Sequence, residues 1–195
     1  LDNFISQGFY KFYITVHHLA EQITSYFGDG SKWGAEISYI HEDKPLGTCG
    51  ALSLLPHSKI LDPVIVMNGD LLTKMDFNHL LDFHYKNSSV ATICTREYDI
   101  QVPYGVIESE GNNITSMVEK PIQRFFVNAG IYIVGQEVLR HVEQGKRIDM
   151  PTLLEQNIAK GADVLKYPVH EYWLDIGRMD DYTRAQADYY SLDMD

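Results

Sequence analysis

A chain of 195 residues, 45% of them hydrophobic, is long enough to bury the core of a single domain spanning residues 1–195. Its formal net charge of -11 excludes a protein that binds the phosphate backbone of nucleic acids, although a few local cations could hold a small anionic substrate. Its two cysteines exclude a disulfide framework and favour a reducing, cytoplasmic location. No apolar run approaches the roughly 20 residues that cross a bilayer.

The first half of the chain alternates strand-like and helix-like segments. Strands are predicted over 11–16, 36–40, 63–67 and 90–95, and helices over 19–27, 50–55 and 77–86. The segment 63–67 is almost continuously apolar, as in a strand buried on both faces, and Asp76 is placed to cap the helix that follows. This βαβαβ order predicts an α/β fold with an open, mostly parallel sheet and helices on both faces.

The second half has shorter strands and a more antiparallel character. Strands are predicted over 106–108, 114–119 and 129–134, with a turn at Gly-Asn-Asn (111–113), and helices over 136–142, 152–160 and 180–190. No repeat, low-complexity tract or composition break marks a linker. One domain is therefore expected.

Two aspartates each follow an apolar run. Asp70 comes after the strand predicted at 63–67, and Asp175 lies in Trp-Leu-Asp-Ile-Gly at 173–177. Two carboxylates brought together at strand ends form a hard-cation site suited to Mg²⁺ and a phosphate-bearing substrate. From the residues alone, the alternative is that both are ordinary turn aspartates and that Trp173 and Leu174 only pack in the core.

Four further segments follow the same chain order: Asp-Lys-Pro-Leu-Gly-Thr-Cys-Gly-Ala at 43–51, Pro-Tyr-Gly-Val at 103–106, Glu-Lys-Pro at 119–121 and Asn-Ala-Gly-Ile-Tyr at 128–132. Each segment alone is typical of a turn, a helix start or a strand. As an ordered set with the two aspartates, they resemble the sugar-1-phosphate nucleotidyltransferases, which make NDP-sugars. The resemblance implies a Rossmann-like, GT-A-like fold, with a nucleotide-binding half at about 1–100 and a sugar-phosphate half at about 101–195.

The resemblance also assigns roles to residues. Asp70 and Asp175 would hold Mg²⁺ and, with Lys120, form the catalytic set. In this family an L-G-T segment lines the base pocket, and here Cys49, which we expect only to pack, stands where a small residue is usual. The residues implied to bind the nucleotide are Leu46, Gly47, Thr48, Gly69 and Asp70. Those implied to bind the sugar phosphate are Gly105, Glu119, Lys120 and Asn128.

The implied reaction is NTP + sugar 1-phosphate → NDP-sugar + pyrophosphate, by a Mg²⁺-dependent enzyme that could form a homo-oligomer. The L-G-T loop, Asp-Met-Pro at 149–151 and Asp-Ile-Gly-Arg at 175–178 are most similar to the mannose-1-phosphate guanylyltransferase-type branch, which uses GTP. A thymidylyl- or uridylyltransferase is the near alternative. A silent sugar-nucleotide-binding regulatory subunit also stays open, whereas a glycosyltransferase is disfavoured because Asn-Gly-Asp at 68–70 offers one carboxylate for its D-x-D motif.

One family feature is missing from these residues. The family begins with a strand followed by a glycine-rich G-x-[GA]-x-R loop that holds the triphosphate, and no such loop occurs in residues 1–195. We therefore expect an N-terminally truncated domain that makes no NDP-sugar on its own. The absent strand would lie between those predicted at 11–16 and 63–67, so we expect these two to pair directly or through a partner strand.

Overall fold

The computed structural model describes residues 1–56, 58 and 60–192 of the chain. The helices in these ranges are α1 (Asp2–Ser6), α2 (Ala20–Phe27), α3 (Phe77–Asn87), α4 (Gln136–Leu139), α5 (Met150–Ala159) and α6 (Met179–Leu192), with 3₁₀ turns at Ser31–Trp33 and Gly50–Leu54. The strands are β1 (Lys11–Val16), β2 (Glu36–His41), β3 (Val64–Met67), β4 (Leu71–Thr73), β5 (Ala91–Gln101), β6 (Val106–Glu110), β7 (Asn113–Val118), β8 (Ile122–Val134), β9 (Val164–Pro168) and β10 (Trp173–Asp175).

The main sheet has four strands in the order β3-β8-β5-β9. Strands β3, β5 and β9 run in one direction, and β8 runs antiparallel between β3 and β5. Side chains alternate along β8, so that Ile131 and Ile133 belong to one apolar cluster and Tyr132 and Val134 to the other. Helix α3 packs on the first face and helices α4 and α5 on the second, which confirms the predicted open α/β fold with helices on both faces.

The remaining strands form three small sheets. Strands β1 and β2 pair in parallel, whereas β4 pairs with β10 and β6 pairs with β7 in antiparallel fashion. The expected direct pairing of the strands at 11–16 and 63–67 is wrong, since within the described ranges β1 pairs only with β2 and β3 only with β8. The two strands instead share an apolar cluster that includes Tyr13, Ile40 and Val66. Consistent with this arrangement, all four residues of β3 are half-buried rather than buried on both faces.

Element boundaries follow local signals where those signals are strong. The carboxylate of Asp76 accepts a hydrogen bond from the N–H of His79 at 2.8 Å, as predicted for a cap, and helix α3 follows it. The turn predicted at 111–113 joins β6 to β7. Strands β5 and β8, however, extend well beyond the predicted ranges as a two-stranded arm that is exposed on both faces. On β5 this arm carries an alternation of Tyr98 and Ile100 with polar residues that the prediction missed.

No helix in the part of the chain that the structure describes is long and apolar enough to cross a membrane.

Both cysteines are expected to be unreactive in the folded protein. Cys49 and Cys94 are 1% and 0% exposed, and burial raises the pKa of each thiol to about 12. At pH 8 only about one such thiol in ten thousand is ionised, against roughly a quarter for a free thiol with a pKa near 8.5. Ellman's reagent should therefore label the native protein very slowly and label both thiols once guanidinium unfolds it. Rapid labelling in native buffer would contradict the described packing.

Candidate active site

A short two-stranded ladder places Asp70 and Asp175 side by side. Strand β3 ends at Met67, and an Asn-Gly turn leads through Asp70 into β4. Asp175 ends β10 opposite Leu71, and the N–H of Ile176 donates to the carbonyl of Asp70 at 2.8 Å. Both aspartates are exposed. The structure therefore brings together the two carboxylates that the sequence singled out.

The two carboxylates interact electrostatically. Partial burial raises the pKa of Asp175, and the charges of Asp70 and of Asp181 in the first turn of α6 raise this pKa further. No lysine or arginine in the described ranges forms an ion pair with Asp70 or Asp175. Two oxygen ligands that repel each other and face solvent fit a divalent cation.

The donor set fits Mg²⁺ better than a cation that needs a complete protein cage. Among the described residues, no group of three or more His, Cys, Asp or Glu side chains could hold a metal ion. Mg²⁺ is usually bound by one or two carboxylates, with waters and substrate phosphates completing its shell. Asp70 and Asp175 are such a pair.

A bulge in β8 supports the turn that carries Asp70. The register between β5 and β8 shifts at this point, and Gly130 adopts a φ of +70°. The carbonyl of Gly130 accepts a hydrogen bond from the N–H of Asn68 at 2.9 Å. A Cβ atom at Gly130 would lie 2.8 Å from Nδ2 of Asn68, so the Asn68 side chain would have to shift, and the positive φ itself favours glycine. This role of Asn68 and Gly130 was not predicted, because it depends on a long-range backbone contact.

Asn128 is exposed beside this bulge, and its side chain is held in place on both sides. Its Oδ1 accepts from the N–H of Gly130 at 2.9 Å, and its Nδ2 donates to the hydroxyl of Tyr132 at 2.6 Å. Burial raises the pKa of Tyr132, so this hydroxyl stays protonated at neutral pH. The Asn128 amide keeps one N–H and one oxygen lone pair for a ligand.

The loop containing Gly47 and Thr48 is bonded to the start of helix α5. The N–H of Thr48 donates to Oδ1 of Asp149 at 2.9 Å, and the hydroxyl of Thr48 accepts from the N–H of Met150 at 2.8 Å. Gly47 has a φ of +77°, and a Cβ atom there would lie 2.6 Å from Oδ1 of Asp149. Asp149 was predicted only as part of a helix start. Its position just before Met-Pro, which is typical of a helix N-terminus, is the signal that could have revealed it.

Leu46 anchors this loop through a buried side chain and two backbone hydrogen bonds. Its side chain is 3% exposed, its N–H donates to Oε2 of Glu42 at 2.7 Å, and its carbonyl accepts from the N–H of Ile148 at 2.9 Å. The N–H and carbonyl of Gly47, in contrast, make no hydrogen bond within the described residues. Of the predicted loop residues, Gly47 is the one with both its N–H and its carbonyl available to a ligand.

Gly105, Glu119 and Lys120 come together at the base of the β6–β7 hairpin. A Cβ atom at Gly105 would lie 3.0 Å from Oε2 of Glu119, and all three residues are exposed. Lys120 has a φ of +46°, and its N–H donates to the carbonyl of Tyr104 at 3.2 Å. A positive φ at a residue other than glycine costs about 1–3 kcal/mol and is common at functional sites. Neither Glu119 nor Lys120 forms an ion pair in the described part of the chain.

The predicted residues therefore form three groups. Asp70, Asp175 and the Asn128 segment meet at the β8 bulge, Leu46 to Thr48 join the start of α5, and Gly105, Glu119 and Lys120 lie at the hairpin base. No hydrogen bond between described residues joins this last group directly to the two aspartates.

The chain is similar to known proteins over almost its whole length. A family model described as nucleotidyl transferase matches residues 1–191. The UTP–glucose-1-phosphate uridylyltransferase of Synechocystis sp. is 30% identical over 197 residues, which cover 91% of this chain and 51% of that protein. The mannose-1-phosphate guanylyltransferase of Mycobacterium tuberculosis is 31% identical over 172 residues, which cover 83% of this chain and 46% of that protein. The chain thus spans about half the length of the curated relatives it matches.

The fold recurs among solved structures. The crystal structure of HddC from Yersinia pseudotuberculosis superposes with a TM-score of 0.73 at 22% identity, covering 96% of this chain and 82% of that one.

A methyl group at Gly130 should disturb both the fold and the aspartate turn. Gly130→Ala places Cβ against the Asn68 side chain and forces alanine into a positive φ, so we expect the free energy of unfolding to fall by about 2 kcal/mol or more. Gly145→Ala is the matched control, because Gly145 has a φ of +68° with nothing within 4 Å of its Cβ position. It should cost about 1 kcal/mol. Equal losses in urea unfolding would show that the Asn68 contact is unimportant.

Proposed function

This chain belongs to the nucleotidyl transferase family, and we propose that it transfers a nucleotidyl group from an NTP to a sugar 1-phosphate, giving an NDP-sugar and pyrophosphate. The observation that carries the proposal is the pair of neighbouring carboxylates in a chain of this family, with Asp70 in the turn after β3 and Asp175 at the end of β10. The names of the Synechocystis and Mycobacterium relatives support the substrate class.

The reaction forms one phosphoanhydride bond and breaks another. An oxygen of the sugar 1-phosphate attacks the α-phosphorus of the NTP, and the bond to the pyrophosphate oxygen breaks in line with that attack. Asp70 and Asp175 would hold Mg²⁺, which supplies positive charge next to the phosphate oxygens where negative charge accumulates. The remaining residues act by positioning and by electrostatic stabilisation, because this transfer requires little acid–base chemistry.

The sugar phosphate is assigned to the groups around the β6–β7 hairpin base and the β8 bulge. Lys120 supplies a point charge for the phosphate, while Glu119 and Asn128 are exposed hydrogen-bonding groups for sugar hydroxyls. Gly105 has no side chain, which allows the sugar ring to approach the backbone. A side chain there would also meet Glu119. This assignment requires the hairpin base and the aspartates to contact one substrate from two sides.

The base is assigned to the loop at Gly47. Its free N–H and carbonyl can bind the edge of a flat base, while Thr48 and the buried Leu46 hold the loop in position. Gly69 has open space around its Cβ position, which lets a nucleotide pass close to the backbone beside Asp70. We propose GTP as the nucleotide, since several relatives are named guanylyltransferases. UTP is the second candidate, because the Synechocystis relative is named a uridylyltransferase.

Other parts of the proposal rest on the sequence alone. The cytoplasmic location, the homo-oligomer, the division into halves near residue 100 and the inactivity of residues 1–195 on their own stay predictions. Pyrophosphate release by the whole protein, measured with GTP, UTP or TTP and a panel of sugar 1-phosphates, tests the substrate assignment. The highest rate is expected with GTP and mannose 1-phosphate, and absence of release with every pair would favour the silent binding subunit.

Removing either aspartate charge should abolish most of the activity. We expect Asp70→Asn or Asp175→Asn in the whole protein to lower kcat by about 10²- to 10³-fold, the usual cost of losing one preorganised electrostatic group. Each substitution keeps the shape of the side chain and removes one side of a repulsive pair, so the fold should not lose stability. The measurement is pyrophosphate release over a Mg²⁺ titration.

Asp82→Asn is the matched control for this experiment. Asp82 is an exposed carboxylate on α3, so its variant should turn over like the unsubstituted protein. Near-normal Mg²⁺-dependent turnover in both site variants would exclude the metal assignment.

Substitutions in the two binding groups should separate the substrates kinetically. Lys120→Ala and Asn128→Ala should mainly raise KM for the sugar 1-phosphate, because each removes a group assigned to that substrate. Thr48→Val should mainly raise KM for the nucleotide, because it removes the acceptor for the Met150 N–H that holds the loop. Initial rates with each substrate varied in turn provide the measurement. Equal changes in both KM values for all three variants would contradict two separate binding groups.

A further inference from the structure

The side chain of Trp173 links two strands that do not pair with each other. Its indole N–H donates to the carbonyl of Ala129 at 2.9 Å, which connects β10 to the bulge in β8. The ring is half-buried and packs against the apolar cluster that contains Ala129 and Ile131. A buried indole N–H usually finds a hydrogen-bond partner, and here the partner is a carbonyl of the β8 bulge.

The carbonyl that accepts the indole N–H belongs to Ala129, and the next residue, Gly130, bonds to the Asp70 turn and to Asn128. The carbonyl of Gly130 binds the N–H of Asn68, which precedes Asp70 by two residues, and the N–H of Gly130 binds Oδ1 of Asn128. Two consecutive residues of β8, Ala129 and Gly130, therefore hold the turn of one aspartate, the strand of the other and the Asn128 amide.

The ladder with β4 and the hydrogen bonds at its two ends hold β10 against β4 and not against β8. This ladder contains three residue pairs, and β4 is itself three residues long. Side chains alternate along a strand, so Trp173 and Asp175 lie on the same face of β10 while the buried Leu174 lies on the other. The indole bond therefore anchors the face that carries the Asp175 carboxylate.

We propose that Trp173 is a positioning residue, whose indole N–H fixes the Asp175 carboxylate relative to Asp70 through the carbonyl of Ala129. The inference rests on the proposed function, because it takes these two carboxylates as the cation site. The turn that carries Asp70 is bonded to β8 through Asn68, so losing the indole bond lets β10 shift against β8 and against this turn. Such a shift changes the position of the Asp175 carboxylate relative to Asp70. Supporting groups one step removed from a metal ligand typically change metal affinity by 10- to 100-fold.

The test measures Mn²⁺ binding to the protein, with Mn²⁺ as a paramagnetic substitute for Mg²⁺. Trp173→Phe keeps an aromatic ring and removes the N–H, and we expect it to weaken Mn²⁺ binding by about tenfold. Trp33→Phe is the matched control, because Trp33 packs against Tyr26 and Phe27 in the segment before β2. The control should bind Mn²⁺ like the unsubstituted protein.

A second substitution removes the N–H without changing the shape of the ring. In the Trp33→Phe background, Trp173 is the only tryptophan left, so it can be replaced during expression by benzothienylalanine, which has sulfur in place of the indole N–H. This protein should also bind Mn²⁺ about tenfold more weakly while it stays folded. The analogue decides the question if Trp173→Phe fails to fold.

The aspartate variants separate this inference from the proposed function. If Asp70→Asn and Asp175→Asn bind Mn²⁺ as tightly as the unsubstituted protein, the proposed cation site itself is wrong. If these two lose binding but the benzothienylalanine protein binds like the Trp33→Phe control, the cation site stands and the positioning role of Trp173 is overturned.

Discussion

Gly130 adopts a φ of +70° within β8, and the arrangement of the candidate site depends on this one departure from strand geometry. In a regular strand the peptide groups at Ala129 and Gly130 would bond to neighbouring strands. The bulge turns them out of the ladder, so that they bind Trp173, Asn68 and the Asn128 side chain instead. One strand of the main sheet thereby fixes three segments that lie far apart in the sequence.

The hydrogen bonds from the β8 bulge hold the two aspartates together against their electrostatic repulsion. Asp70 and Asp175 repel each other, and the raised pKa of Asp175 reflects that repulsion together with partial burial. A carboxyl whose pKa is higher in the folded than in the unfolded chain destabilises the fold once pH rises through its unfolded pKa, and the effect disappears when both states are protonated. Removing one of the two charges should therefore stabilise the apo protein at neutral pH. Repulsion of this kind is typical of sites built to hold a ligand rather than of sites built for stability.

How much of this could be predicted depended on the length and exposure of each element. The Asp76 cap, the turn at 111–113 and the alternating α/β order were visible because each has a strong local signal. The outer half of β5 was missed although Tyr98 and Ile100 alternate there with polar residues, and in the structure its side chains are exposed on both faces. Strands β4 and β10 are three residues long, too short for any period to be recognised.

The same distinction applies to the candidate site. Sequence patterns predicted which residues would carry chemistry, but not what holds them in place. Core packing of Trp173 was the alternative interpretation of its segment, and the contact with Ala129 that the structure shows spans 44 positions in the sequence. The bond between Thr48 and Asp149 spans 101 positions. Contacts of this range are set by the fold, and a single sequence contains no local pattern that reveals them.

The reciprocal bonds between the Gly47–Thr48 loop and the start of α5 limit how this protein can be redesigned. The carboxylate of Asp149 accepts from Thr48 and lies where any side chain at residue 47 would have to go. A loop of residues 46–48 grafted from a protein that prefers another base would thus lose its support unless residues 148–150 were transferred with it. The two segments therefore have to be varied together. A mutant library that varies only residues 46–48 would produce mostly loops that have lost their bonds to the start of α5.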